Sequence, residues 1–215
     1  MGVGTAWSGR DFLDRARDRL DLVPPPAFVD RTLVPALGDH RLDDLPPRTG
    51  RPPRAAAVLL GVIERDEGAT LLMTLRSARL RDHSGQIALP GGKIDPGDAT
   101  PAAAALREAE EEVGLDPARV EPIGYLDAYL TGTGFLIVPT VARVSPPVTL
   151  QPNPDEVDDV FEVPMAFLMN QANHGRGTRT FEGRERSFYV MAYGERRIWG
   201  VTAGVIRNLY ERLYG

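Results

Sequence analysis

Glu108, Glu111 and Glu112 stand at i, i+3 and i+4 in "ALREAEEEVGL" (105–115), directly after Arg107. On a helix each residue advances roughly 100°, so these three carboxylates share one face while Glu110 points away. Like charges so spaced repel and destabilise the helix that carries them. Three hard oxygen donors on one face are also what Mg²⁺ or Mn²⁺ takes, and such ions complete their shell with water and substrate phosphate. Arg107 can orient a neighbouring glutamate through charge-assisted hydrogen bonds. Two readings stand: a solvated acidic helix face, or a cage for a divalent cation. The flanks favour the cage. The alanines at 102–105 and Ala109 make a face small enough to lie close on a sheet, and Gly91-Gly92 lets a loop approach both the helix and a ligand.

A rigid frame must hold these groups, and the periodicities outline one. Thr100 reads as an N-cap, Pro101 as the first helical residue and Gly114 as the stop of a helix over 100–114. Apolar runs at 55–64 and 70–77 read as hairpin strands, and 85–92 as a short strand entering a glycine turn. Further strands are expected in "VEPIGYLDAYLT" and "GFLIVPTVARV", a short helix at 164–171, a hairpin at 186–200 and an amphipathic helix over 202–214. Strands and helices mix without regular βαβ alternation. That predicts an α+β fold, an α/β/α sandwich with a mixed β-sheet between helices. Residues 1–53 form an N-terminal helix (10–22) and a proline-rich lead-in packed along the outside of a domain spanning 54–215. A structural role is expected for this lead-in; dimerisation and substrate capping are the alternatives.

The 215 residues are 42% hydrophobic with a net charge of −5, an ordinary globular composition with no general affinity for nucleic acid or anionic membranes. The absence of cysteine excludes disulfides, thiolate metal sites and thiol nucleophiles, and fits a reducing compartment. No stretch reaches the roughly 20 apolar residues of a membrane span. The N-terminus lacks a secretory h-region, so the expected location is cytoplasmic. An acidic protein handling phosphates needs a local cation, either a metal or an arginine cluster.

"GGKIDPGDATPAAAALREAEEEVGL" resembles the Nudix box, the loop-helix signature of hydrolases that cleave nucleoside diphosphates linked to another moiety. Against the pattern G-x5-E-x7-R-E-U-x-E-E-x-G-U, Arg107, Glu108, Ala109, Glu111, Glu112, Gly114 and Leu115 match, with alanine in an aliphatic place. Counted back from Arg107 the first half falls on Lys93 and Ala99; one extra loop residue restores register with Gly92 and Asp98. A loop can absorb that residue where a helix face cannot. Upstream, "LMTLRSARLRDHSGQIALPGG" is similar to the second motif of the coenzyme A branch, at Leu72, Thr74, Arg76, Ser77, Arg81, Gly85, Pro90, Gly91 and Gly92. Met73 and Leu89 replace that motif's leucine and phenylalanine.

The resemblance implies Mg²⁺- or Mn²⁺-dependent hydrolysis of the pyrophosphate of coenzyme A or its derivatives, giving adenosine 3',5'-bisphosphate and 4'-phosphopantetheine. It places the metal on Glu108 and Glu112 with Glu111 assisting, and Arg107 beside them. Substrate contact falls to Arg76, Arg81, Gly85, Gly91 and Gly92. Glu156 in "LQPNPDEVDDVFEVP" takes a place this branch tends to give an acidic residue, as ligand or general base; a polar turn is its other reading. Phe135 and Tyr129 flank "LTGTG" and either meet the substrate or sit in the core, with the core preferred for Tyr129. Trp199 is expected to pack against the last helix. Three rivals remain: the same chemistry on ADP-ribose, NADH or another nucleoside diphosphate derivative, a non-catalytic nucleotide-binding regulator, and an interaction protein. Small-molecule substrate, no nucleic acid and no membrane are the expected partners, with a homodimer left open.

Overall fold

The run at 55–63 shows no polar alternation because both faces of its strand are covered. In the computed structural model, which describes residues 9–43, 52–181 and 183–215, Ala57, Leu59 and Ile63 pack into one apolar layer and Ala56, Leu60 and Val62 into another. The lead-in residues at 44–51 and the N-terminal residues 1–8 lie outside the described residues.

From the N-terminus come helix α1 (Gly9–Arg19), the single turn α2 (Pro26–Val29), strand β1 (Leu37–Gly38) and a 3₁₀ turn (Asp39–Leu42). The long strands β2 (Arg54–Arg65) and β3 (Gly68–Arg76) follow, then β4 (Ile87–Ala88), β5 (Gly91–Lys93) and helix α3 (Pro101–Val113). Strands β6 (Val120–Tyr125), β7 (Tyr129–Leu130), β8 (Phe135–Val144) and β9 (Val157–Pro164) lead to the one-turn α4 (Met165–Leu168). Strands β10 (Gly175–Phe181), β11 (Arg184–Tyr193) and β12 (Arg196–Trp199) precede helix α5 (Val201–Tyr214).

Nine strands make the main sheet, in the order β1-β7-β8-β2-β3-β4, with β5 on β2, β6 on β8 and β9 on β3. Its spine is the parallel ladder of β2 on β8, from Arg54 opposite Phe135 to Ile63 opposite Val144. Helix α3 covers one face through Ala104, Ala105, Ala109 and Val113, where alanine lets the backbone lie close. Helices α1 and α5 cover the other through Phe12, Leu13, Ile206 and Leu209. The result is the expected α/β/α sandwich around a mixed sheet. Strands β10, β11 and β12 form a separate antiparallel sheet. No helix among the described residues is long and apolar enough to cross a membrane.

Four readings change, the first being that "VEPIGYLDAYLT", expected as one strand, divides into β6 and β7. The strand expected at 85–92 breaks into β4 and β5, which pair with different strands, β3 and β2. The expected hairpin at 186–200 gains a third strand, β10, from "GRGTRTF", which has no apolar alternation to announce it. The lead-in does more than run along the outside. Its β1 pairs in parallel with β7 at the edge of the main sheet, while the apolar side of the N-terminal helix, Phe12, Leu13, Ala16 and Leu20, enters the main core.

Candidate active site

Helix α3 starts and stops where its end groups are satisfied. The Thr100 hydroxyl accepts from the Ala103 amide at 3.1 Å, Pro101 needs no partner for an amide it lacks, and Gly114 turns left-handed at φ 65°. Beyond it, the Gln151 and Asn153 amides donate to the carbonyls of Val113 and Glu112 at 2.8 and 2.9 Å. These bonds draw the loop carrying Glu156 against the end of the helix.

The glycine turn ahead of α3 permits two close approaches. Gly91 pairs with Val58 at φ 153°, where a β-carbon would fall 2.3 Å from the Ala57 carbonyl oxygen. At Gly92 the space of the missing side chain is filled by the Glu108 carboxylate, 2.4 Å from an ideal β-carbon. The Gly91 amide donates to Glu112 Oε2 at 3.0 Å.

Arg107 joins loop to helix. Its Nε and Nη2 donate to the two oxygens of Asp98 at 3.1 and 3.0 Å, and Nη2 also to the Lys93 carbonyl at 3.1 Å. Its Nη1 donates to Glu108 at 3.0 Å and Glu111 at 3.2 Å. Asp98, the residue brought into register by the longer loop, is held below the usual carboxylate range by Arg107 and the Asp95 amide. The Arg107 guanidinium holds its proton more tightly still, Asp98 being the main cause.

The three glutamates that share a face by spacing have different surroundings. Glu112 is 4% exposed, and burial pushes its carboxyl up to about 7 against the Gly91 amide and Arg76. Glu108 is raised in the same direction, again first by burial, with Arg107 opposing. The charges of Glu108 and Glu156 raise Glu112, and those of Glu111 and Glu156 raise Glu108. The charge of Glu156 thus acts on both, although that residue lies on a distant loop. Glu111, with its side chain 58% exposed, turns outward to Arg107. Among the described residues no three acidic or histidine side chains converge as a metal-binding set. The chemistry of the donors still fits a hard divalent cation. Glu108 and Glu112 are oxygen donors whose negative charge is disfavoured where they stand, and a cation would offset that.

The second motif meets this group through Arg76, whose Nη1 lies 3.7 Å from Glu112 Oε1 and whose buried Nε has no hydrogen-bond partner. Arg76, Gly91 and Gly92 also line a cleft of about 550 Å³, as does Phe135, which carries the Arg54 guanidinium 4.0 Å above its ring. Arg81 and Gly85 are exposed and do not line it; the Gly85 amide bonds the Arg76 carbonyl and shapes the turn. Arg79 lies 4.0 Å from Asp155 on the surface.

Two parts of the cleft have no signal in the sequence. Asp39, His40 and Asp43 of the lead-in line it. Asp39 accepts from the Tyr129 hydroxyl at 2.8 Å and the Gly132 amide at 2.6 Å, and Asp43 from the Ser187 amide at 3.0 Å. Tyr129 is buried, as expected, and its hydroxyl is strongly resistant to ionisation because of burial and Asp39. The other part is the far wall, built by Arg179, Arg186, Phe188 and Trp199. Trp199 thus faces the cleft and packs edge-on against Phe188, with ring centroids 5.2 Å apart.

The family whose model matches, the NUDIX domain, covers residues 52–181. A protein of Shigella flexneri named as an uncharacterized Nudix hydrolase, NudL, is 40% identical over 172 residues, 79% of this chain and 89% of its own length. Proteins of the same name in Escherichia coli K12 and Photorhabdus laumondii are 40% and 39% identical, over 73% and 74% of this chain and 81% and 85% of theirs. Among solved structures, a Nudix hydrolase from Alicyclobacillus acidocaldarius aligns over 74% of this chain and 91% of its own, at 18% identity and TM-score 0.48. The M. smegmatis Nudix hydrolase RenU aligns over 52% and 70%, at 27% identity and TM-score 0.45.

Proposed function

The chain belongs to the Nudix family and is a Nudix hydrolase, and on that premise we propose that it cleaves the pyrophosphate of coenzyme A or a coenzyme A derivative. The observation that carries this reading is Arg76. The second motif, the one resembling the coenzyme A branch, folds so that its first arginine lies 3.7 Å from Glu112, on the wall of a cleft roomy enough for a nucleotide and its extension.

Glu108 and Glu112 would hold a divalent cation, Mg²⁺ or Mn²⁺, with Glu156 beside them. When bound, that ion supplies charge neutralisation of the bridging diphosphate and acidifies water. Arg107 keeps Glu108 pointed at the glycine turn and ties Glu111 to the same fork. Arg76 sets a fixed positive charge next to Glu112, on the wall of the cleft where an anionic phosphate oxygen can approach it. Glu156, free of the Arg107 fork, accepts the proton as water attacks one phosphorus. The bond from that phosphorus to the bridging oxygen breaks, leaving adenosine 3',5'-bisphosphate and 4'-phosphopantetheine. Phe135 lies at the substrate. Arg81 and Gly85 act on the turn that carries Arg76.

The test is incubation with coenzyme A, ADP-ribose and NADH in parallel, with Mg²⁺, Mn²⁺ or chelator, and identification of products by mass. Metal-dependent release of the two products named above, lost in Glu112→Gln, is the expected result. Cleavage of ADP-ribose or NADH alone would keep the hydrolase and discard coenzyme A. Tight binding without turnover would make the protein a nucleotide-binding regulator.

A further inference from the structure

The far wall carries charge for which the carboxylate site has no use. Arg179 of β10 and Arg186 of β11 are directly opposed across the two strands, and both line the cleft. Opposed like charges weaken an antiparallel pair, and a guanidinium does not shed its proton to relieve them. Elsewhere this protein answers such charges: Arg65 lies on Glu162, Arg143 on Glu64, Arg196 on Asp159 and Arg212 on Asp21. Among the described residues neither Arg179 nor Arg186 has an ion pair.

The same strand face brings rings to the cleft. Phe188 stands two residues from Arg186, and Trp199 meets it edge-on. Opposite Phe188 is Gly177, where a β-carbon would come within 2.9 Å of the ring, so glycine leaves room for the ring to lie across the strand. Two guanidinium forks beside a pre-set aromatic surface are suited to a phosphorylated nucleoside.

We propose that Arg179 and Arg186 form a second anion subsite, which takes a phosphate monoester on the nucleoside part of the substrate, remote from the diphosphate that is cleaved. Phe188 and Trp199 offer the stacking surface for its base. The inference rests on the Nudix hydrolase reading and adds a specificity determinant to it. A dianionic monoester answers both arginines, whereas a hydroxyl in its place leaves them unanswered. The 3'-phosphate of coenzyme A and the 2'-phosphate of NADPH present this same chemistry.

The test compares kcat/KM within two pairs, coenzyme A against 3'-dephospho-coenzyme A and NADPH against NADH. It uses the unmodified protein, Arg179→Ala/Arg186→Ala, and Arg176→Ala, which removes a charge from the opposite face of β10. The unmodified protein is expected to favour the phosphorylated member of one pair by on the order of tenfold, through KM. The double variant should bring that ratio to about 1 with kcat unchanged, while Arg176→Ala keeps it; the pair that responds identifies the 3' or the 2' source. Calorimetric binding of adenosine 3',5'-bisphosphate and adenosine 2',5'-bisphosphate against adenosine 5'-monophosphate repeats the comparison without catalysis. Absent turnover would thus count against the hydrolase reading alone, and retained binding of the monophosphate shows the double variant to be folded. Indifference to the extra phosphate in the unmodified protein, or discrimination that survives in the double variant, overturns the subsite.

Discussion

The two walls of the cleft are built in opposite ways. One wall is lined by Arg76, Gly91 and Gly92, and directly behind it stand Glu108 and Glu112, from the same stretch 91–112. Its parts are fixed to one another by the Arg107 fork and by glycines that leave no slack. The arginine-aromatic wall comes from a separate sheet, bound to the lead-in through Asp43 and facing open cleft. One wall is strained in charge and crowded in space; the other is roomy and over-supplied with positive charge. Reacting atoms must be held within fractions of an ångström, which suits the first, and a recognised group needs only a matching charge and surface, which suits the second.

Substitutions can break this contrast or sharpen it. The largest effect is expected from Glu112→Gln, a loss of at least about 100-fold in kcat/KM measured with Mg²⁺ or Mn²⁺. The same variant should gain stability when cations are chelated. Glu112 has its folded-state pKa raised from 4.5 to about 7, so the native state holds a proton that the unfolded chain has lost. Its stabilising contribution is full below 4.5 and disappears as pH rises through about 7. Melting in chelator should therefore fall from pH 5 to pH 8 in the unmodified protein more than in Glu112→Gln. Next comes Arg107→Lys, expected to lose about tenfold or more in kcat, since an ammonium cannot reproduce the five contacts of the fork. Gly92→Ala should separate placement from folding. Its β-carbon displaces only the end of the Glu108 side chain, so kcat falls several-fold while Tm barely moves. On the other wall, Trp199→Ala should raise KM a few-fold and leave kcat alone. A drop in kcat as large as that of Arg107→Lys would erase the distinction between the walls. The smallest effect is expected from Thr100→Ala, about 1 kcal/mol of stability from a lost helix cap, read as a shift in denaturant midpoint.

Legibility in the sequence follows the same division. Helix α3, its caps and the shared face of Glu108 and Glu112 could be read because every determinant lies within about twenty consecutive residues. The place of Asp98 followed from the one-residue shift that the resemblance required, and its contact with Arg107 came only with the fold. Burial then divides what spacing made equal: Glu111 lies outward and Glu112 inward, a difference set by the sheet beneath. Spacing also treated Arg76 and Arg81 alike, although the turn between them sends only one to the cleft. Strand β10 was invisible because its residues are polar on both faces and its reason for being a strand is β11, found only after the chain folds. Asp39 gave no sign either, as its partners Tyr129 and Gly132 lie some ninety residues on.

The parallel ladder between β2 and β8 also bears on how activity is acquired. Parallel strands need a crossover, and the glycine turn and α3 lie inside the one that separates these two. Closing so long a connection is slow compared with forming a helix. Helical signal should therefore appear early in refolding, while turnover returns only with the later closure of the sheet. A stopped-flow trace of helix content, set beside recovered hydrolysis, would separate those two times.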